Sequence, residues 1–234
     1  MRKVALLAAA LAAVVPTLAP LSAHAETAVN VPPPTAQSAA TSHNEIAVLA
    51  GGCFWGIQAV YQHIKGVKNA VSGYAGGNPG AATYNAVSTG TTGHAESVQV
   101  TFDPHVVSYG QILQVFFAVA HDPTELNRQG PDIGTQYRSE IFPQTEAQAK
   151  FARDYIAQLD AAKVFAKPIV TQVGAPKTAF FRAEDYHQDY ATLHPMQPYI
   201  MFNDAPKVAK LQALFPDLWR DPPVTVAKAG SGTN

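Results

Sequence analysis

The sequence predicts an α+β fold, a two-layer sandwich with helices packed on one face of a mixed sheet. Residues 45–142 read strand–helix–strand and then strand–helix–strand. That order suits a fold in which each helix buries its apolar stripe on a sheet. The strand patterns differ as such a sheet requires. Glu45 to Ala50 is a nearly continuous apolar run, fit for a buried central strand, whereas Glu96 to Asp103 alternates, fit for a half-buried one.

Each element follows from a local pattern. After the first strand, Phe54, Ile57, Val60, Tyr61 and Ile64 recur at helical spacing, and Gly66 ends the run. Val67 to Tyr74 is the second strand, followed by a turn-rich loop, Gly76-Gly77-Asn78-Pro79-Gly80. That loop is no phosphate cradle, because no Gly-Lys-Ser/Thr follows it. In the third strand Val98, Val100 and Phe102 share one face, and Asp103-Pro104 stops it. Ser108 caps a helix running to Ala120. Residues 121–137 form a polar loop long enough to suggest function. Arg138 to Phe142 is a strand, and Thr145 to Phe165 a helix with Gln148 completing a capping box. Ile169 to Val173 is a further strand, and Thr178 to Phe181 extends the pairing. Glu184 to Leu193 is a helix, and Pro206 to Phe215 another with proline in its first turn.

The domain is flanked by segments of different character. Arg2 and Lys3 precede an apolar run, Val4 to Leu21, and Ala23-His24-Ala25 fits a small-x-small cleavage site. Residues 1–25 therefore read as a signal peptide, with export, to the periplasm, and a mature start at Glu26. Residues 26–43, with Pro32-Pro33-Pro34, read as a flexible Pro/Ala-rich linker. The folded domain spans 44–220, and 221–234 read as a disordered tail. A formal net charge of −1 argues against an electrostatic nucleic-acid binder, and no later stretch is apolar enough to span a bilayer.

The chain holds one cysteine, in Gly51-Gly52-Cys53-Phe54-Trp55-Gly56. It lies where the first strand gives way to the helix. Free N–H groups and the helix dipole there favour a thiolate, and Phe54 and Trp55 put aromatic faces beside the sulfur. A lone cysteine is by default a small buried hydrophobe, but a strand-to-helix turn presents a thiol rather than hiding it. The segment Gly52-Cys53-Phe54-Trp55-Gly56 resembles the signature of A-type peptide methionine sulfoxide reductases. Gly73-Tyr74-Ala75-Gly76-Gly77, Thr92-Gly93-His94-Ala95-Glu96 and Gly134-Thr135-Gln136-Tyr137-Arg138-Ser139 agree with the same family in order and type. The resemblance covers about Asn44 to Arg220.

It implies a ferredoxin-like split βαβ core with extensions, and reduction of methionine sulfoxide, with preference for the S epimer. It implies Cys53 as the attacking sulfur, Glu96 as proton donor, and Tyr84 and Tyr137 as hydrogen-bond donors to the sulfoxide oxygen. Phe54 and Trp55 would wall the methyl pocket, and Asp132 would position substrate. No bound cofactor or metal is implied. Many relatives carry further cysteines that resolve the sulfenic acid, and this chain has none. An external thiol, a thioredoxin-like protein in the cell or dithiothreitol in vitro, is therefore the expected reductant, and oxidised proteins and peptides the expected substrates.

Other readings start from the same residues. A thiol hydrolase or acyl-transferase would pair Cys53 with His94 or His121. A thiol peroxidase fits less well, because Ala50 stands where its usual threonine would be. A peptide-binding module would not need the thiol. Glu184 and His187 stand three apart but lack a second ligand pair, so no metal site is expected. His94 is expected to support its loop.

Overall fold

A computed structural model describes residues 29–38 and 43–226. The segment read as a signal peptide lies outside them. The chain runs β1 (Glu45–Gly51), α1 (Phe54–Gln62), β2 (Val67–Ala75), a short α2 (Tyr84–Val87), β3 (Ala95–Phe102) and α3 (Tyr109–Val115), which continues as a π turn, Phe116–Ala120. A two-residue pair follows, β4 (Arg128–Gln129) and β5 (Asp132–Ile133), then β6 (Ser139–Phe142) and α4 (Glu146–Ala161). The remainder is β7 (Gln172–Val173), β8 (Phe180–Arg182), α5 (Tyr190–Leu193) and α6 (Ala205–Leu214).

The main sheet has the order β7-β6-β1-β3-β2-β8. Its four inner strands, β6-β1-β3-β2, pair antiparallel throughout, so β1 and β2 run parallel and are split by β3. This is the ferredoxin-like core, and the parallel β6–β7 pair makes the sheet mixed. Leu49, Val98, Val100 and Phe102 bury against Phe54, Ile57, Val60 and Tyr61 of α1 and Ile112, Phe116 and Phe117 of the α3 region in one cluster. The helices thus cover one face, as the strand patterns require.

Caps behave as the local sequence dictates, with one shift. The Ser108 hydroxyl accepts from Gln111 N–H, and the Gln111 side chain reaches back to Ser108 N–H, a complete capping box. At α4 the Thr145 hydroxyl accepts from Gln148 N–H, but the Gln148 side chain binds Gln144 N–H and the Ile46 carbonyl instead.

Four expectations are corrected, each because a tertiary hydrogen bond replaces a local one. The helix after Cys53 ends at Gln62, not Ile64. Arg220 N–H donates to the His63 carbonyl, and Ile64 bridges to Trp219. The strand expected over 169–173 shortens to Gln172–Val173, because Ile169 and Val170 donate to Asp160 and Pro123. The helix expected over 184–193 breaks at Gln188 and Asp189, whose φ is 58°. There Gln188 bonds Ser72 through both N–H and carbonyl, Asp189 N–H donates to the Gln58 side chain, and the Asp189 carboxylate accepts from Gln62.

The fourth correction concerns the flanks. Within the stretch read as a flexible linker, residues 29–38 pack on the domain. Val31 is buried, its carbonyl accepts from Gln114, and the Pro32 carbonyl accepts from Tyr155. Residues 221–226 of the stretch read as a disordered tail are tied down as well. Val224 N–H donates to the Gln62 carbonyl and Val226 N–H to the Asp189 carboxylate.

Candidate active site

Cys53 is the N-cap residue of α1, at the end of the central strand β1. The flanking glycines are required by contact. A Cβ on Gly52, whose φ is +94°, would sit 2.6 Å from Gln129, and one on Gly56 would sit 2.2 Å from the Asp204 carboxylate. The sulfur therefore lies in a seam closed by the 121–137 loop on one side and the segment before α6 on the other. Cys53, Gln129, Pro131, Asp132, Tyr199 and Lys207 line a cleft of about 50 Å³.

Glu96 enters from β3. It is buried, with 3% of its surface exposed, and its Oε2 accepts from Phe54 N–H at 3.1 Å. Burial pushes its carboxyl up to about 8, against the opposing Phe54 hydrogen bond and with help from Asp132 and Asp204. Glu96 is thus a neutral acid at pH 7. Burial also pushes the Cys53 thiol well above its ordinary range, reinforced by the neighbouring Glu96 and Asp204 carboxyl groups and opposed by Trp55 N–H. The expectation of a resting thiolate is corrected, because desolvation outweighs the helix terminus. The resting site is a thiol beside a carboxylic acid.

Tyrosines and aromatic rings complete it. Burial raises both Tyr84 and Tyr137, and each also feels Glu96 and Cys53, which brings the two phenols to the same site. Tyr84 opens α2 rather than lying in an irregular loop, and its N–H donates to Glu184. Tyr137 ends a 3-10 turn held to the neighbouring loop by Thr135 to the Gly90 carbonyl, Gln136 to the Ser88 carbonyl and Arg138 to the Gly93 carbonyl. Phe54 is buried against Tyr74 and His187. Trp55 stacks on Tyr190 at 4.0 Å between centroids, meets Tyr199 edge-on, and donates through Nε1 to His187 Nδ1 at 3.2 Å. Asp132, on β5, accepts from the Tyr199 hydroxyl. Burial raises its carboxyl, while Tyr199 and Lys207 oppose the shift.

Of the seven residues named from sequence, Cys53 and Asp132 line the cleft, Phe54 and Trp55 follow Cys53 on α1, Glu96 is bonded to Phe54 N–H, and Tyr84 and Tyr137 stand within electrostatic reach of Glu96 and Cys53. Tyr190, Tyr199, Asp204 and the wall-forming role of His187 were missed, since they come from a segment with no local motif. Glu184 is engaged by two tyrosines. Its carboxylate accepts from Tyr74 and Tyr84. His94 accepts from Gly77 N–H and bonds the Asn78 carbonyl, so it holds its loop. His121 is bound on both ring nitrogens, to the Phe116 carbonyl and the Ser139 hydroxyl.

The arrangement is that of a thiol enzyme working with a neutral carboxyl rather than an imidazole. Comparison with known proteins identifies the class. Residues 45–218 match the sequence model of the family described as peptide methionine sulfoxide reductase. Over 188 residues the chain is 57% identical to peptide methionine sulfoxide reductase MsrA 2 of Mesorhizobium japonicum, which spans 80% of this chain and 96% of that relative. The reduced form of Mxr1 from Saccharomyces cerevisiae superposes with a TM-score of 0.60 at 32% identity, covering 70% of this chain and 92% of Mxr1. Methionine sulfoxide reductase A of Corynebacterium diphtheriae gives 0.57 at 36% identity, covering 67% and 78%. The chain belongs to the peptide methionine sulfoxide reductase family.

The Glu96 carboxyl makes stability depend on pH. Its folded value, about 8, lies above the unfolded value near 4.3, so the folded state binds the proton more tightly. That contribution is fully present below about pH 4 and is lost as pH rises to about 8. Chemical denaturation across pH 5 to 9 is expected to show wild type losing a few kcal/mol relative to Glu96→Gln. Parallel curves would mean that Glu96 is an ordinary ionised carboxylate.

Proposed function

We propose that the chain reduces methionine sulfoxide, free or in peptides and proteins, to methionine, that it acts on the S epimer, and that it thereby repairs oxidised proteins. One observation carries this reading: a buried thiol at the N-cap of α1 stands beside a buried carboxyl, Glu96, that accepts from the next residue's N–H, while His94 and His121 are committed to other bonds. A sulfoxide needs that combination. Its sulfur is a weak electrophile until the oxygen is protonated or strongly hydrogen-bonded.

In this reading Cys53 attacks the sulfoxide sulfur as Glu96 gives its proton to the oxygen and Tyr84 and Tyr137 hydrogen-bond it. Phe54 and Trp55 seat the methyl group. Asp132, oriented by Tyr199, positions the substrate. The oxygen ends on Cys53, whose thiol proton balances that given by Glu96. The products are methionine, two electrons reduced, and a Cys53 sulfenic acid. With a single cysteine in the chain no internal disulfide can follow. A first external thiol condenses with the sulfenic acid, losing water, and a second displaces it as a disulfide to free Cys53. A thioredoxin-like protein, or dithiothreitol in vitro, supplies both. The neutral acid supports this over acyl transfer, which needs a base for its nucleophile. It also supports it over a binding module, which needs no buried acid.

We also propose that the chain works outside the cytoplasm, in the periplasm. The support is the basic start, the apolar run Val4 to Leu21 and the Ala23-His24-Ala25 site. Among the described residues no helix is long and apolar enough to cross a membrane.

Racemic N-acetyl methionine sulfoxide with dithiothreitol, followed by chromatography that separates the epimers, tests the chemistry. The S epimer alone is expected to disappear, and Cys53→Ser to abolish its loss. N-terminal sequencing of the protein recovered from the cell exterior or envelope is expected to begin at Glu26. Consumption of both epimers, turnover by the folded Cys53→Ser variant, or a retained Met1 would each contradict the corresponding part.

A further inference from the structure

The cleft beside Cys53 is narrow, about 50 Å³, and its polar lining includes Asp132, Tyr199 and Lys207. It has room for little more than the end of one side chain. Anything attached to the methionine sulfoxide, its own backbone and its neighbours in a chain, must lie across the mouth. Part of that mouth is apolar. Phe202 lines the same cleft as Cys53, together with Pro131 and Pro206.

Phe202 is placed there by its turn. Residues Ile200–Asp204 form a π turn in which Ile200 and Asp204 are buried and Phe202 faces out. With 67% of its surface exposed, Phe202 packs little against its own domain. An exposed aromatic ring is unremarkable alone. One at the rim of a reaction cleft, beside two prolines, offers apolar area that a substrate lying across the cleft would cover. We infer that Phe202 is a specificity-determining residue: it grips an apolar side chain next to the sulfoxide and selects methionine sulfoxide with apolar neighbours over the same residue without them. This rests on the reductase reading above and adds to it the class of protein substrate.

The discriminating quantity is a ratio. kcat/KM is measured for two short peptides holding methionine sulfoxide, one with leucine on each side and one with glycine, for wild type, Phe202→Ser and Ile133→Ser. Ile133 is 72% exposed but does not line the cleft, so it controls for loss of surface apolarity. Covering part of one aromatic ring corresponds to about tenfold in kcat/KM. Wild type and Ile133→Ser are expected to prefer the leucine peptide by about tenfold, and Phe202→Ser to bring the ratio close to one. A ratio unchanged in Phe202→Ser, lost equally in Ile133→Ser, or already one in wild type would overturn the inference while leaving the reductase reading intact. Wild type reducing neither peptide would sink both.

Discussion

Two ionisable groups buried together cannot both be charged without large cost, and that constraint organises this molecule. Cys53 and Glu96 share a dry seam at the end of β1 and the start of β3. Desolvation keeps both protonated, and the Phe54 N–H that reaches Glu96 softens the shift without reversing it. The pair holds the proton a sulfoxide oxygen requires and the sulfur that must attack. Neither costs the fold a buried charge at neutral pH. The antiparallel pairing of β1 with β3 is what brings the two together.

The surroundings keep that seam dry and shaped. Gly52 and Gly56 admit Gln129 and Asp204 to within contact of the backbone around Cys53. Trp55 is fixed by a hydrogen bond to His187 and by stacking on Tyr190. Both partners come from the segment that Gln188 and Asp189 anchor to β2 and α1. The break in that helix is therefore functional geometry. An unbroken helix over 184–193 would carry His187 and Tyr190 on a different register. The loop with Asp132 and the turn with Tyr199 are joined by one hydrogen bond across the cleft.

Much of this was legible in the sequence because it depends on local pattern. The apolar run before Cys53, the helical spacing after it and the alternation from Glu96 each specify an element and its buried face. The Ser108 cap was readable for the same reason. The seven residues that resemblance named came from motifs beside these elements. What stayed hidden depends on distant partners. Tyr199 matters because Asp132 lies across a cleft from it, 67 residues away in sequence. The break at Asp189 is caused by side chains on α1, and the docking of residues 29–38 by Gln114, Tyr155 and Gln158. The thiolate expectation failed differently. Position at a helix start is visible in sequence, but the depth of burial that overrides it is a property of the whole fold.

The protonation state of Glu96 is the centre of the account, and it can be observed directly. The measurement is a pH titration of the side-chain carboxyl signals by carbon NMR in the folded protein, with Glu96→Gln used to assign the Glu96 resonance. The account predicts a neutral carboxylic acid at pH 7 that ionises through about pH 8. A carboxyl already ionised at pH 7, titrating near the ordinary glutamate value, would contradict it and remove the proton on which the reaction depends.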